Sequence, residues 1–278
     1  MPRPHLASLL SGQVDPPLQV ALQRLVRVCD LTAADDAGQP WDAVLWHHGG
    51  TPPPGIPTVV WTADVDLNSE PARSAAVLLA PAPITDERCV VLGRYPEYPD
   101  ARPVLPFSRR RIRRARRLAG PAVAEVDGGR WRWDGVDVPD GAQAAAAGLA
   151  AAVVATEPAS VLHALAWAAP TVTDPATAEA VCAVADTHLV VADGTAGRRV
   201  LGAELAADDR RAAAVSWAGR RLYERIWSAE GVLERLRFAS ADNPVLRLND
   251  ALDELGTPLD AIVRARSLDA TQILRGRR

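Results

Sequence analysis

The chain has 278 residues, of which 48% are hydrophobic and 23% are charged, and its formal net charge is −3. This length allows one large domain or two domains of about 100–150 residues each, with enough apolar residues for a sizeable core. The slight negative charge argues against general nucleic-acid binding, and the sequence contains no apolar run long enough to predict a transmembrane helix.

The first half of the chain consists of short apolar runs separated by proline and glycine. Residues 5–10 are a predicted strand, and the paired prolines at 16–17 open a predicted helix over 18–29, whose apolar residues have helical spacing. Four more short strands are predicted, over 43–46, 58–61, 76–79 and 89–92. Continuous apolar strands of this length are typical of a parallel sheet that is covered on both faces.

The middle of the chain contains a proline-rich passage over 95–106, which we interpret as a linker. Residues 108–118 follow, and the seven arginines among them predict a basic helix. Two interpretations of this helix stay open. It is either a solvated helix at a domain boundary, or a surface that faces an anion such as phosphate or an acidic membrane.

The second half repeats the alternation of strands and helices. Strands are predicted over 122–126, 153–156, 170–173 and 188–192, and helices over 142–152, 160–167, 176–185, 206–223 and 229–238. The segment 247–266 is amphipathic, so we expect it to pack on another domain or on a second subunit. We predict domains over residues 1–104 and 105–240, followed by a helical tail over 241–278.

The basic residues and the cysteines limit the chemistry of any site. All 31 basic residues are arginine, so a phosphate would be held by arginine, a helix N-terminus or backbone N–H groups. The three cysteines, Cys29, Cys89 and Cys182, lie far apart and form no C-x-x-C pair. We therefore expect reduced thiols and neither a zinc site nor a redox motif. No metal and no cofactor are expected for the chain as a whole. The first residues lack the pattern of a signal peptide, which favours a cytoplasmic location.

Four segments, taken in chain order, resemble the GT-B glycosyltransferases that use nucleotide-sugar donors. They cover residues 41–48, 55–64, 129–137 and 153–174, and the helix over 217–223 resembles that family's closing helix. The resemblance spans roughly residues 40–235. It implies an α/β fold of two Rossmann-like domains facing each other in shortened form, with the acceptor on the first and the donor on the second.

The sequence also departs from the pattern of that family. Asp134 stands where the family has a lysine, His163 where it has a glutamate, and Ala63 where it has a histidine. Residues 174–177 replace a glycine pair that lets a phosphate approach a helix. The glycine-rich acceptor loop is reduced to residues 11–12. These differences weaken the expected contacts with a diphosphate.

The resemblance implies that the acceptor side supplies a general base. His47 and His48 end a strand and enter a Gly-Gly turn, where a neutral imidazole accepts a proton from an acceptor hydroxyl. Asp64 is the third candidate, at the end of another strand. The alternative for the histidines is turn capping, and the alternative for Asp64 is a capping role in the turn that continues to Asp66 and Asn68.

The candidates on the donor side come from the second half. Arg130 keeps the family's position for a donor phosphate, with ordinary surface charge as the alternative. Glu157 lies near the family's sugar- or ribose-binding carboxylate, and His163 replaces the ribose-binding glutamate as a hydrogen-bonding group. Thr173, Thr177 and Glu179 lie where a helix N-terminus is expected to cradle phosphate, with ordinary capping as the alternative.

The leading hypothesis is a metal-independent transferase that moves a sugar from a nucleotide-sugar donor to an unknown acceptor. The second hypothesis is a catalytically inactive relative that binds a sugar ligand or acts as a partner subunit, and the losses at Ala63, Asp134 and His163 favour it. A third hypothesis is an unrelated two-domain α/β binding protein. Partners in each case are small molecules, a further protein or a second copy of the chain, and nucleic acid is not expected.

Overall fold

The computed structural model describes residues 4–11, 14–33, 41–94, 122–139 and 141–239. Both of its sheets belong to one compact unit, Met1–Leu236, and Arg237–Arg278 is assigned to a second unit. The predicted linker over 95–106, the basic helix over 108–118 and the tail over 241–278 lie outside the described residues. So do the predicted domain boundaries at 104/105 and 240/241.

The first half of the described chain forms a six-stranded parallel sheet. Its strands are β1 (His5–Leu10), β2 (Asp30–Ala33), β3 (Ala43–His47), β4 (Thr58–Trp61), β5 (Val77–Ala80) and β6 (Cys89–Val91). They are arranged in the order β2-β1-β3-β4-β5-β6. The chain therefore leaves β1 toward one side of the sheet and returns to β3 on the other side, which makes a topological switch point between β1 and β3.

Helix α1 (Pro16–Val28) covers one face of this sheet. The Asp15 side chain caps it by accepting a hydrogen bond from the Leu18 N–H at 2.7 Å, and prolines occupy its first turn. Its buried face includes Leu18 and Leu25, which pack on the apolar side chains of β1, β3, β4 and β5. The opposite face carries the short helix α2 (Glu70–Arg73).

The second half forms another six-stranded sheet, in the order β12-β11-β10-β7-β8-β9. Its strands are β7 (Val123–Asp127), β8 (Arg130–Trp133), β9 (Val136–Asp137), β10 (Ala152–Ala155), β11 (Thr171–Thr173) and β12 (Val190–Val191). Strands β7, β10, β11 and β12 are parallel, whereas β8 and β9 extend the sheet as an antiparallel hairpin. The described chain is thus an α/β protein with two Rossmann-like halves.

Six helices are described in this half of the chain. They are α3 (Gln143–Leu149), α4 (Pro158–Ala166), α5 (Pro175–Ala180), α6 (Gly194–Ala207), α7 (Asp209–Ile226) and α8 (Ala229–Ala239). Side chains of α4 and α5 pack on one face of the second sheet, together with those of α7. Leu205 of α6 and Val215 of α7 cover its other face.

The two halves share apolar contacts within the compact unit. Ala80, Cys89 and Val91 of the first sheet belong to the same buried cluster as the side chains over α4 and α5. Helix α8 comes from the end of the second half, yet its Ala229 and Val232 pack in the core of the first sheet beside α1. Apolar burial therefore joins the halves at two places.

The two mostly parallel six-stranded sheets confirm the prediction of an α/β fold with two Rossmann-like halves. Several details differ from the predictions. Strand β2, helix α2 and the hairpin of β8 and β9 were not predicted. Helix α6 was also missed apart from its last two residues, because the helix predicted over 206–223 begins where α6 ends. Asp208 ends α6 and caps α7 by accepting from the N–H groups of Arg210 and Arg211. No helix in the described ranges combines the length and the apolar character needed to cross a membrane.

Candidate functional site

The switch point of the first sheet lies where β1 and β3 end side by side. Leu10 pairs with His47 in the parallel ladder, and a bridge joins Leu10 to His48 one residue later. Ligands of open α/β sheets bind in the crevice outside the carboxyl ends of the strands at such a point. The two histidines therefore lie at the position in this sheet where a binding site is most expected.

His47 is buried and connects two strand ends. Its Nε2 lies 3.2 Å from the carbonyl oxygen of Ala63, which follows β4. Because a carbonyl oxygen only accepts, Nε2 carries the proton in this contact and the ring lone pair lies on Nδ1. Its side chain is only 8% exposed, so His47 acts mainly as a link between the ends of β3 and β4.

His48 is exposed and has an unusual backbone conformation. Its φ is +50°, in the left-handed region that residues with a side chain seldom adopt. Its ring lies 4.4 Å from the ring of His47, centroid to centroid, and 6.1 Å from that of Trp46. Of the two histidines, His48 is the one whose ring a solvent-borne acceptor can reach.

Two neighbouring residues complete this strand end. The Ser11 N–H donates to the His47 carbonyl at 3.0 Å, and the Ser11 hydroxyl donates to the His48 carbonyl. At Gly49, a Cβ atom would lie 2.5 Å from the Leu9 carbonyl oxygen, so only glycine fits. The Gly-Gly turn was visible in the sequence, but the role of Ser11 was not, because its two bonds reach residues far along the chain, and the hydroxyl bond to His48 spans 37 positions.

Asp64 lies at the next strand end, directly after the Ala63 carbonyl that contacts His47. It is exposed and has a φ of +58°, so two adjacent strands of the first sheet both end near a residue in the left-handed conformation. The capping bonds of this turn come from Asp66, which accepts from the Asn68 N–H at 2.9 Å. The turn thus has its cap without the Asp64 carboxylate.

Arg130 lies at the carboxyl edge of the second sheet. It begins β8 and pairs with Asp127, the last residue of β7, after a turn of two glycines that both have positive φ. Asp134 lies at the opposite edge, where its N–H donates to the carbonyl of Val123 at the start of β7. The lysine-to-aspartate difference at Asp134 is therefore remote from the strand ends where ligands bind.

Glu157 occupies the N-cap position of α4, immediately beyond β10. Its backbone is extended, and within the described part of the chain its side chain makes no capping hydrogen bond. The helix that follows has nine residues and points its N-terminus, the positive end of its dipole, to the carboxyl edge of the sheet. A carboxylate at this position stabilises the helix and also offers oxygens to a hydroxyl-bearing ligand.

The threonines predicted at the next strand end are held by the protein itself. Thr177 Oγ1 donates to the Thr156 carbonyl at 2.8 Å, and its N–H donates to the Asp174 carboxylate at 2.9 Å. Thr173 is fully buried, and of the described residues its hydroxyl is one of a few buried polar groups with no hydrogen-bond partner. Glu179 is exposed on α5, one turn further from the strand end.

His163 does not lie at the strand ends. It is in the second half of α4, and its ring meets the Trp131 indole of β8 edge-on, with centroids 5.2 Å apart. Burial lowers the pKa of His163 to about 4, so the imidazole is neutral at physiological pH. His163 thus packs against Trp131, whereas Arg130 and Glu157 lie at the carboxyl edge of the sheet, although all three were predicted to bind one donor.

Arg198 is a cation at this edge that the sequence analysis missed. It lies at the start of the second turn of α6, after β12, and donates to Thr195 Oγ1 at 3.3 Å. Burial raises the pKa of the Asp174 carboxyl, but the bonds from Thr177 and the charge of Arg198 outweigh it and hold the pKa below its usual value. The signal that could have revealed Arg198 is the strand followed by Asp193-Gly194-Thr195, a helix-opening pattern.

The two carboxyl edges carry different chemistry. The first offers an exposed imidazole and the Asp64 carboxylate, which suit proton transfer. The second offers two guanidinium groups, Arg130 and Arg198, and the N-termini of α4 and α6, which suit an anion. Within the described ranges, no three His, Cys, Asp or Glu side chains cluster in a way that could hold a metal ion.

The comparisons with known proteins do not identify a family for this chain. No protein-family model matches it, and no curated protein sequence matches it.

Proposed function

We propose that this protein is a GT-B-like glycosyltransferase that moves a sugar from a nucleotide-sugar donor to a hydroxyl-bearing acceptor. The observation that carries the proposal is the exposed His48 at the switch point of the first sheet, in a chain whose second sheet presents arginines at its own strand ends. Neither feature is needed for a stable Rossmann-like core. Both have a role in group transfer.

His48 is the proposed general base on the acceptor side. A neutral imidazole takes the proton of the acceptor hydroxyl as that oxygen attacks the anomeric carbon of the donor. Asp64 follows the adjacent strand and is the second candidate for the base. His47 holds the end of β3 through the Ala63 carbonyl.

Arg130, Arg198 and the helix N-termini are the proposed donor contacts. The leaving nucleoside diphosphate develops negative charge, which cations and backbone N–H groups stabilise without a metal ion. Glu157 is placed to accept hydrogen bonds from sugar or ribose hydroxyls. In this proposal Asp134 does not oppose the reaction, because it lies at the far edge of the sheet from Arg130.

A specific observation favours the alternative, a catalytically inactive relative that binds a ligand or a partner protein. Two of the expected donor contacts are already occupied by protein groups. The start of α5 is capped by Asp174, while the Thr177 hydroxyl is bound to the Thr156 carbonyl. His163 is packed against Trp131. A donor would have to be held by the remaining groups alone.

Donor cleavage distinguishes the two functions without knowledge of the acceptor. The wild-type protein is incubated with uridine, guanosine, adenosine and thymidine diphosphate sugars, and release of the nucleoside diphosphate to water is measured. We expect release with at least one donor and a loss of about 10²-fold or more in His48→Gln. Binding of a diphosphate without any release from its sugar would favour the inactive relative.

A further inference from the structure

We infer that Ser11 is a positioning residue that fixes the backbone of His48 and thereby aims its imidazole from the switch point. This inference rests on the proposed function, because aiming the ring matters only if His48 acts on a ligand. It assigns a role to a side chain that directly follows β1 and binds the backbone on either side of His48 rather than its imidazole.

The geometry of the two bonds carries the inference. The Ser11 N–H donates to the His47 carbonyl at 3.0 Å, and the Ser11 hydroxyl donates to the His48 carbonyl. These carbonyls belong to the two peptide units on either side of the His48 Cα. One residue therefore anchors both peptide planes, and with them the φ and ψ angles of His48.

The His48 conformation that Ser11 holds is one that most residues with a side chain disfavour. A residue with a side chain is disfavoured at a φ of +50°, and relaxation to an ordinary extended conformation would turn the imidazole away from its present direction. Gly49 blocks one route of relaxation, because its backbone already lies against the Leu9 carbonyl. The Ser11 hydroxyl blocks the other by binding the carbonyl that would have to rotate.

Ser8 in the preceding strand β1 supplies a matched control. Its hydroxyl donates to the Thr32 carbonyl at 2.9 Å, so Ser8→Ala also removes one bond from a serine hydroxyl to a backbone oxygen. That bond joins β1 to β2, on the side away from the histidines. A general loss of stability should be similar in Ser8→Ala and Ser11→Ala, whereas an effect on His48 should be confined to Ser11→Ala.

The test follows the His48 ring directly by NMR. The full chain has five histidines, so histidine labelled with ¹³C in the ring gives five Cε1–H signals, and His48→Gln identifies the one of interest. We expect Ser11→Ala to shift or split the His48 signal and raise its relaxation-measured mobility. Ser11→Thr, which keeps the hydroxyl, should restore it, and Ser8→Ala should leave it unchanged. If Ser11→Ala does not fold, Ser11→Cys takes its place, because a thiol donates weakly.

A kinetic comparison connects the ring to the reaction. In the donor-cleavage assay, Ser11→Ala should lower kcat at least tenfold and leave KM for the donor within twofold, with recovery in Ser11→Thr. An identical His48 signal in Ser11→Ala and Ser8→Ala overturns the inference. Failure of the wild type to bind any nucleoside diphosphate overturns the transferase proposal instead, and the NMR comparison then still decides whether Ser11 holds His48.

Discussion

The imidazole of His163 stands edge-on to the indole of Trp131, with ring centroids 5.2 Å apart. The contact joins helix α4 to the antiparallel strand β8, and Trp131 is only 5% exposed. Removal from water disfavours the charged imidazolium, which is why the pKa of His163 falls to about 4. A histidine in this position stabilises the fold only while it stays neutral.

Acid should therefore destabilise the protein through His163. An unfolded histidine has a pKa near 6.5, so between pH 6.5 and 4 the unfolded chain binds a proton that the folded chain does not. The free energy of unfolding should fall as the pH falls through this range. Through His163 alone, the free energy of unfolding should be about 2–3 kcal/mol lower at pH 4.5 than at pH 7.5. Urea unfolding at the two pH values measures this change.

His163→Gln isolates this contribution, because burial also lowers the pKa of His188 and both histidines add to the slope of the wild type. Glutamine keeps polar groups but does not titrate. Acidification from pH 7.5 to 4.5 should lower the unfolding free energy of the wild type more than that of His163→Gln. A difference that is equal at pH 7.5 and 4.5 would show that His163 titrates normally in the folded protein.

Much of the fold could be predicted because buried parallel strands consist of continuous runs of apolar residues. The runs at 43–46, 58–61 and 170–173 each correspond to an observed strand, within one residue at either end. The hairpin of β8 and β9 was missed because its strands are only four and two residues long, too short for the alternation of arginine and tryptophan in β8 to stand out. Such strands are defined by their partner rather than by their own composition.

Less of the candidate site could be predicted, because it depends on contacts across the chain. The sequence indicated His47, His48 and Asp64 as strand-end residues, and the structure brings the ends of β3 and β4 together. It did not indicate that His47 is bound to Ala63, that Ser11 holds His48, or that His163 lies against Trp131. Each of these contacts joins residues that are far apart in the sequence, so the local spacing of apolar residues does not reveal it.

Helix α6 packs so closely on β10 that one of its glycines has no room for a side chain. A Cβ at Gly202 would lie 2.8 Å from Val154 Cγ2, and the branched Val154 side chain in a central strand cannot easily move. Gly202→Ala should therefore cost about 1–3 kcal/mol in chemical unfolding. Gly197→Ala in the same helix is the control, because the nearest atom there is 3.8 Å away. The prediction is wrong if the two variants are equally stable.

Arg130 should contribute to donor affinity through its charge. Loss of one charge-assisted contact to a phosphate costs about 1.5–3 kcal/mol, so Arg130→Ala should weaken binding of the nucleoside diphosphate about tenfold or more. Arg132→Ala is the matched control: Arg132 is exposed on the same strand, but further from the carboxyl edge, and pairs with Asp137 at 3.4 Å. Equal losses in both variants would mean that only net charge matters and would remove Arg130 from the site.

Arg198 should behave in the same way if the donor extends toward α6. We expect Arg198→Ala to weaken diphosphate binding about tenfold as well. Arg210→Ala, which removes an exposed arginine from the first turn of α7, should leave binding unchanged. Isothermal titration of the two variants side by side measures the difference. A normal affinity in Arg198→Ala would limit the donor contacts to the strand ends nearer Arg130.

Calorimetric titration of the wild-type protein with uridine, guanosine, adenosine and thymidine diphosphates tests the central claim most directly. The proposed donor edge, with two arginines and two helix N-termini, predicts that at least one of the four binds with a Kd below about 1 mM, equivalent to about −4 kcal/mol. His48→Gln should bind that diphosphate as tightly as the wild type, because the base acts on the acceptor. Absence of heat with all four at millimolar concentration would contradict the transferase account.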